Sequence, residues 1–122
     1  MDLAVFKLRV GQRLAIVPAA GSLEPEDEEL IEASYESLVA ELLEHDLANW
    51  NTTDDVPDEY ADVLVGMTAA RLVDEFELPE PRRSGILVQS AFGLSAPSHD
   101  ERRLRRLMAV PQFDDELKVD YF

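Results

Sequence analysis

The stretch EPEDEELIEASYESLVAELLEHDLANW, Glu24 to Trp50, decides the fold. Pro25 suits a first helical turn, where its missing N–H costs nothing. Glu26, Asp27, Glu28 and Glu29 follow, and carboxylates there complement the positive end of the helix dipole. Leu30, Ile31, Tyr35, Leu38, Val39, Leu42, Leu43, Leu47 and Trp50 then recur at three- and four-residue spacing. Glu32, Glu36, Glu41 and Glu44 fall between them, toward water. The pattern predicts one amphipathic helix of about seven turns. Its stripe alone does not offset the entropy of ordering the segment, so it needs other helices, from this chain or from neighbours.

Outward from that helix, Asn51 to Asp58 reads as a loop, by its Asn, Thr, Asp and Pro content. A second helix is expected from about Asp58 to Phe76, with Tyr60, Val63, Leu64, Met67, Ala70 and Val73 as its apolar line. Gly66, Ala69 and Ala70 are small enough there to let another helix approach. Pro79 and Pro81 end this region. A third helix is expected from about Arg82 to Phe92, before Gly93 and Pro97. A fourth starts at Ser98, which with Glu101 has capping-box spacing. It carries Leu104, Leu107 and Met108 on one side, Arg102, Arg103, Arg105 and Arg106 around the rest, and stops before Pro111.

The first seventeen residues fit two patterns. Leu3, Phe6, Val10, Leu14 and Val17 fit a helix, while Phe6, Leu8 and Val10 alternate with Lys7 and Arg9 as in a strand; helix is the favoured reading. At the other end, residues 111–122 read as an arm. Phe113, Leu117, Val119, Tyr121 and Phe122 stand among acids there, and Leu117, Val119 and Tyr121 alternate with polar residues. Such an arm is expected to dock on a partner, by adding a strand to a sheet. The expected fold is therefore all-α: a small bundle of three to five helices over residues 1–110, with an extended C-terminal arm at 111–122.

Length and composition agree with one soluble domain. The chain has 122 residues, 46% apolar and 30% charged. No apolar run is long enough to span a bilayer. Leu14 to Val17 is too short, and too soon ended by Pro18, for a signal peptide, so a product of the cytoplasm is expected. Without cysteine there are no disulfides or thiolate metal sites.

The net charge is −15 and is unevenly placed. Residues 22–80 carry 19 acids and one base, Arg71, whereas residues 81–110 carry six arginines and two acids. The total argues against nonspecific grip on nucleic acid. The segregation suits head-to-tail attraction between copies, with Glu32 and Glu36 on one side of the contact and Arg102, Arg103, Arg105 and Arg106 on the other.

Few residues gather in patterns that carry chemistry. Asp54, Asp55, Asp58, Glu59 and Asp62 surround a loop, but they lack the glycine and distal Glu register of a calcium-binding EF-hand. Helix-capping acids are the expectation, and no metal or cofactor. Ser98, His99 and Asp100 are adjacent, whereas triad members converge from separate parts of a fold. His45, between Glu44 and Asp46, is expected in solvent, and Trp50 is expected to cap the core. No catalytic residues are expected.

The order of features is that of a known family. Gln12-Arg13-Leu14-Ala15-Ile16-Val17 belongs to a short N-terminal helix with Arg and Leu, and Glu24-Pro25-Glu26-Asp27 through Asn49-Trp50 is a long helix with an acidic start. Val56-Pro57-Asp58-Glu59-Tyr60 leads into a small-residue helix that ends in Arg71-Leu72-Val73-Asp74-Glu75-Phe76. Over roughly residues 12–92, the chain resembles the head-to-tail adaptor (connector) proteins of tailed bacteriophages and gene transfer agents. The resemblance implies a virion neck protein, made in the host cytoplasm. It implies a ring, usually of twelve copies, beneath the portal protein, and a C-terminal segment that clamps the portal. The opposite side would receive the next neck, stopper or tail protein, and DNA would pass through the channel without specific binding. A rival from another class is an acidic DNA mimic that occupies a host DNA-binding protein; residues 24–62 are acidic enough, but the arginine-rich helix and the arm are superfluous to it. A third is a generic helical binding module, monomeric or dimeric.

Overall fold

The computed structural model describes residues 1–17 and 21–109. Every regular element among them is a helix: α1 (Leu3–Arg13), α2 (Pro25–Glu44), a 3-10 turn (Asp58–Tyr60), α3 (Ala61–Ala70), α4 (Arg82–Ser90) and α5 (99–109). The all-α expectation holds, and within residues 1–17 the helical alternative is taken by Leu3–Arg13, while Leu14 to Val17 form the turn that follows. The proposed arm and its Phe113, Leu117, Val119, Tyr121 and Phe122 lie outside the described residues.

α3 is the hub. Its sequence ADVLVGMTAA has one charged residue, and every α3 residue except Asp62 is buried. A helix apolar on all sides must be enclosed, and α1, α2 and α4 pack around this one. The one-sided stripe expected for this segment is thus replaced by burial all round. α1 contributes Phe6, Val10 and Leu14 to the core, and α2 contributes Ile31, Tyr35, Leu38, Val39 and Leu42. Phe6 and Tyr35 meet with ring centroids 4.7 Å apart. Leu30 and Leu43, expected in the stripe, stand 38% and 57% exposed instead, because at 100° per residue they fall on opposite shoulders of the buried face.

The long helix is shorter than its pattern predicts. α2 ends at Glu44, and Leu47 and Trp50 belong to the following loop. The stop is a Schellman closure: Leu47 N–H donates to Leu42 O, and Asp46 N–H to Leu43 O, with Asp46 in the left-handed region at φ 58°. Buried Leu47 supplies the apolar contact that accompanies this motif. Two further closures repeat it. Ile16 and Ala15 bond back to Gly11 and Gln12 after α1, and Leu78 and Glu77 bond back to Val73 and Asp74. Ala15 (φ 59°) and Glu77 (φ 49°) hold the position that glycine normally occupies. α3 likewise stops at Ala70 rather than Phe76, because Arg71 and Leu72 N–H groups reach only three residues back and the chain continues in turns. α4 ends at Ser90 rather than Phe92, as Ala91 turns extended.

These closures give a direct test. Ala15→Gly and Glu77→Gly are each expected to stabilise the fold by ~0.5–1 kcal/mol, and Asp46→Gly by less, because Asp tolerates the left-handed region. Thermal melting of the three variants checks this; lower melting temperatures for Ala15→Gly and Glu77→Gly would contradict it.

Trp50 covers one end of the core, as expected. Its indole Nε1–H donates to Tyr35 Oη at 2.9 Å, and its ring stacks on Tyr60 at 5.3 Å. Burial pushes the Tyr35 phenol above its ordinary value of 10.0, against the smaller opposing effect of the Trp50 bond. The unfolded chain therefore loses this proton at lower pH than the folded chain. The stability gained from the neutral phenol is complete below about pH 10 and is lost as pH rises toward the folded value. Denaturation midpoints should fall above about pH 10, and less steeply in Tyr35→Phe, which has no such proton to lose.

Candidate functional site

α5 is built to present arginines. Ser98 Oγ accepts from Glu101 N–H at 3.2 Å and caps the helix, as its spacing predicts. The other half of the capping box is not made. Glu101 instead accepts from Gly93 N–H at 3.0 Å and from Arg105 Nε at 3.3 Å, fastening the α4–α5 loop. Leu104 is fully buried, and Arg102, Arg103, Arg105 and Arg106 are all exposed. Arg105 is tied to Glu101. Arg102, Arg103 and Arg106 have no carboxylate within 4 Å among the described residues.

Asp100 roots the same helix. Its carboxylate is buried, accepts from Ser90 Oγ at 2.6 Å and from Gln89 Nε2 at 3.4 Å, and sits over Gly66 of α3. Ser98, His99 and Asp100 accordingly point to different tasks: a helix cap, an exposed imidazole and an interior anchor. His45 is exposed, as expected, and lies edge-on to Phe92 at 5.4 Å.

α2 presents the opposite sign. It carries eight carboxylates and no base. Lys7 lies 3.2 Å from Glu28 and 3.7 Å from Glu32, and Arg71 lies 2.7 Å from Glu41. Glu26, Asp27, Glu29, Glu36 and Glu44 have no basic partner within 4 Å among the described residues. Glu32 is thus engaged by α1 of its own subunit, and Glu36, with no base within 4 Å among the described residues, lies on the rim of a shallow groove with Leu43 and Trp50. Among the described residues no α2 carboxylate pairs with an α5 guanidinium inside the subunit.

A second basic feature escaped the sequence. Arg9 and Arg13 of α1, Asp62 of α3, Gln89 of α4 and Arg103 of α5 line a cleft of about 540 Å³. A second, more open pocket adjoins it, sharing Arg13 and Gln89 and lined also by Gly85, Ile86 and Arg82, which donates to the Arg13 carbonyl at 3.1 Å. Four of the nine arginines of a chain at −15 line these two adjoining pockets. Arg9 and Arg13 at i, i+4 were the available sequence signal, but nothing local says that α4 and α5 bring Arg82 and Arg103 beside them.

The acidic loop residues do not gather. Asp58 pairs with the Met1 amine and Asp62 lies 3.5 Å from Arg9. Among the described residues no group of three or more His, Asp or Glu side chains is placed to hold a metal ion, and no helix is long and apolar enough to cross a membrane. No family model, curated protein or solved structure matches the chain.

Proposed function

We propose that this chain is a virion assembly protein, the head-to-tail connector that docks as a ring on a phage portal, joins capsid to tail and lets DNA pass through its channel. The observation that supports the reading is charge separation left unsatisfied among the described residues. There, Glu26, Asp27, Glu29, Glu36 and Glu44 of α2 have no base within 4 Å, and Arg102, Arg103 and Arg106 of α5 have no carboxylate within 4 Å. Unlike surfaces on one rigid unit complement each other between copies in the heterologous manner that closes rings. The order of sequence features that resembles connector proteins supplies the portal as partner, and the negative total charge is consistent with DNA sliding past without adhering. The rival DNA mimic draws on the carboxylates of residues 24–62 and leaves the arginines of α5 without a task.

Sedimentation with a purified portal ring tests the reading. The full chain is expected to move with the ring. A chain ending at residue 109 is expected to keep its helical fold and lose the ring, since residues 111–122 are the proposed clamp. Capture by a basic DNA-handling protein, competed by duplex DNA and without portal binding, would replace the connector reading with the mimic.

A further inference from the structure

The arginine groove has a task that the ridge on α5 does not explain. Arg13, Arg82 and Arg103 have no carboxylate within 4 Å among the described residues, although acids outnumber bases 26 to 11 in the chain. These guanidiniums, without a carboxylate among the described residues, come from three helices, α1, α4 and α5, to two adjoining pockets. Arg82 is held in place by its bond to the carbonyl of Arg13. Gln12 and Gln89 add carboxamide donors to the same walls. At Gly85, along the seam, nothing lies within 4 Å of where a Cβ would stand, so the groove is open to a backbone.

The charge of the groove selects the ligand. The two adjoining pockets together hold four arginines against Asp62 and Asp100, which leaves an excess of two positive charges. That excess matches a pair of carboxylates better than a phosphodiester chain, which the overall charge of −15 also repels. Planar guanidiniums bind carboxylates in bidentate fashion. The chain itself carries a pair of suitable spacing. Glu26 and Glu29 stand at i, i+3 on the first turns of α2, exposed and without a base, with Asp27 between them.

We propose that the α1–α4–α5 groove is a receptor for the acidic start of α2, residues 22–30, of a second copy of this chain. In naming a second copy, the proposal rests on the head-to-tail reading above, and it moves the centre of that contact from the outer ridge to Arg13 and Arg103. Arg102 and Arg106 then steer the approach, and the groove gives the contact its register.

Fluorescence anisotropy of a labelled peptide of residues 22–30, titrated with the full chain at low salt, tests this. The peptide is expected to bind, and R13E/R103E is expected to weaken it about tenfold or more, with helicity unchanged. R13K/R103K, which keeps the charge but loses the fork, should fall between. R102E/R106E should retain most of the binding, and a peptide with Glu26, Asp27 and Glu29 changed to Gln, Asn and Gln should not bind. Equal loss in R102E/R106E, binding of the neutral peptide, or tighter capture of a short oligonucleotide would overturn the proposal. So would binding that appears only after removal of residues 110–122, which would give the groove to the chain's own Asp114, Asp115 and Glu116. Portal assembly is measured in parallel. Assembly without peptide binding overturns the groove and leaves the connector reading standing. Peptide binding without assembly supports the groove and removes the portal.

Discussion

Gly66→Ala is expected to cost about 3 kcal/mol or more, near 10 °C in melting temperature for a chain of this size. A Cβ at Gly66 would lie 2.5 Å from both Asp100 Oδ2 and Ser90 Oγ. Both atoms are side-chain ends, but neither is free to move, because they are buried and bonded to each other. The methyl group must therefore push α4 and α5 off α3 or break that bond, leaving a buried carboxylate short of a donor. Gly85→Ala is the control. It has open space around the new methyl and should be neutral or stabilising by up to ~1 kcal/mol through helix propensity. Gly66→Ala in a Ser90→Ala background should cost less than in the native chain, because one of the two obstructing atoms is gone. Gly66→Ala melting with the native chain would contradict the packing described for α3, α4 and α5.

Arg102→Glu with Arg106→Glu is expected to slow ring assembly on a portal about tenfold or more, since the charges that steer each subunit onto the next are reversed. Both residues are exposed and free of partners among the described residues, so stability should change by no more than ~0.5 kcal/mol. Glu36→Lys with Glu44→Lys, outside the segment assigned to the groove, should fail in the same way on its own. A mixture of the two variants should assemble again, because each acidic ridge then meets a basic α2 and each basic ridge an acidic one. Restoration in the mixture is the part that a merely weakened fold does not produce. Assembly at the native rate by either variant alone would separate the charge pattern from the contact.

How far the sequence disclosed this depended on whether the deciding interaction was local. Helix class and starts are local. Pro25 with its following acids, Ser98 with Glu101, and the spacing of Ile31, Tyr35, Leu38 and Leu42 all act within a turn or two, and the structure follows them. Helix ends were less legible. Ala15, Asp46 and Glu77 take a backbone conformation that glycine usually signals, so nothing in their side chains announces a stop. The hydrogen bonds that fix those stops depend on Ile16, Leu47 and Leu78 turning inward to the core. The exposed ridge of α5 could be read from four arginines around Leu104. The groove could not, because Arg82 and Arg103 come from two other helices and reach the two sides of Arg13 only when α3 is enclosed. Asp100 shows the same limit. In sequence it stands in a Ser-His-Asp run, and its actual partner, Ser90, lies on another helix.

The native mass of the species formed when the purified chain is added to a portal ring tests the central claim most directly. The connector reading predicts that the ring gains a fixed whole number of 13.7 kDa subunits and takes up no more at excess. A portal that gains no mass, or gains an open-ended series of subunits without saturation, would contradict it.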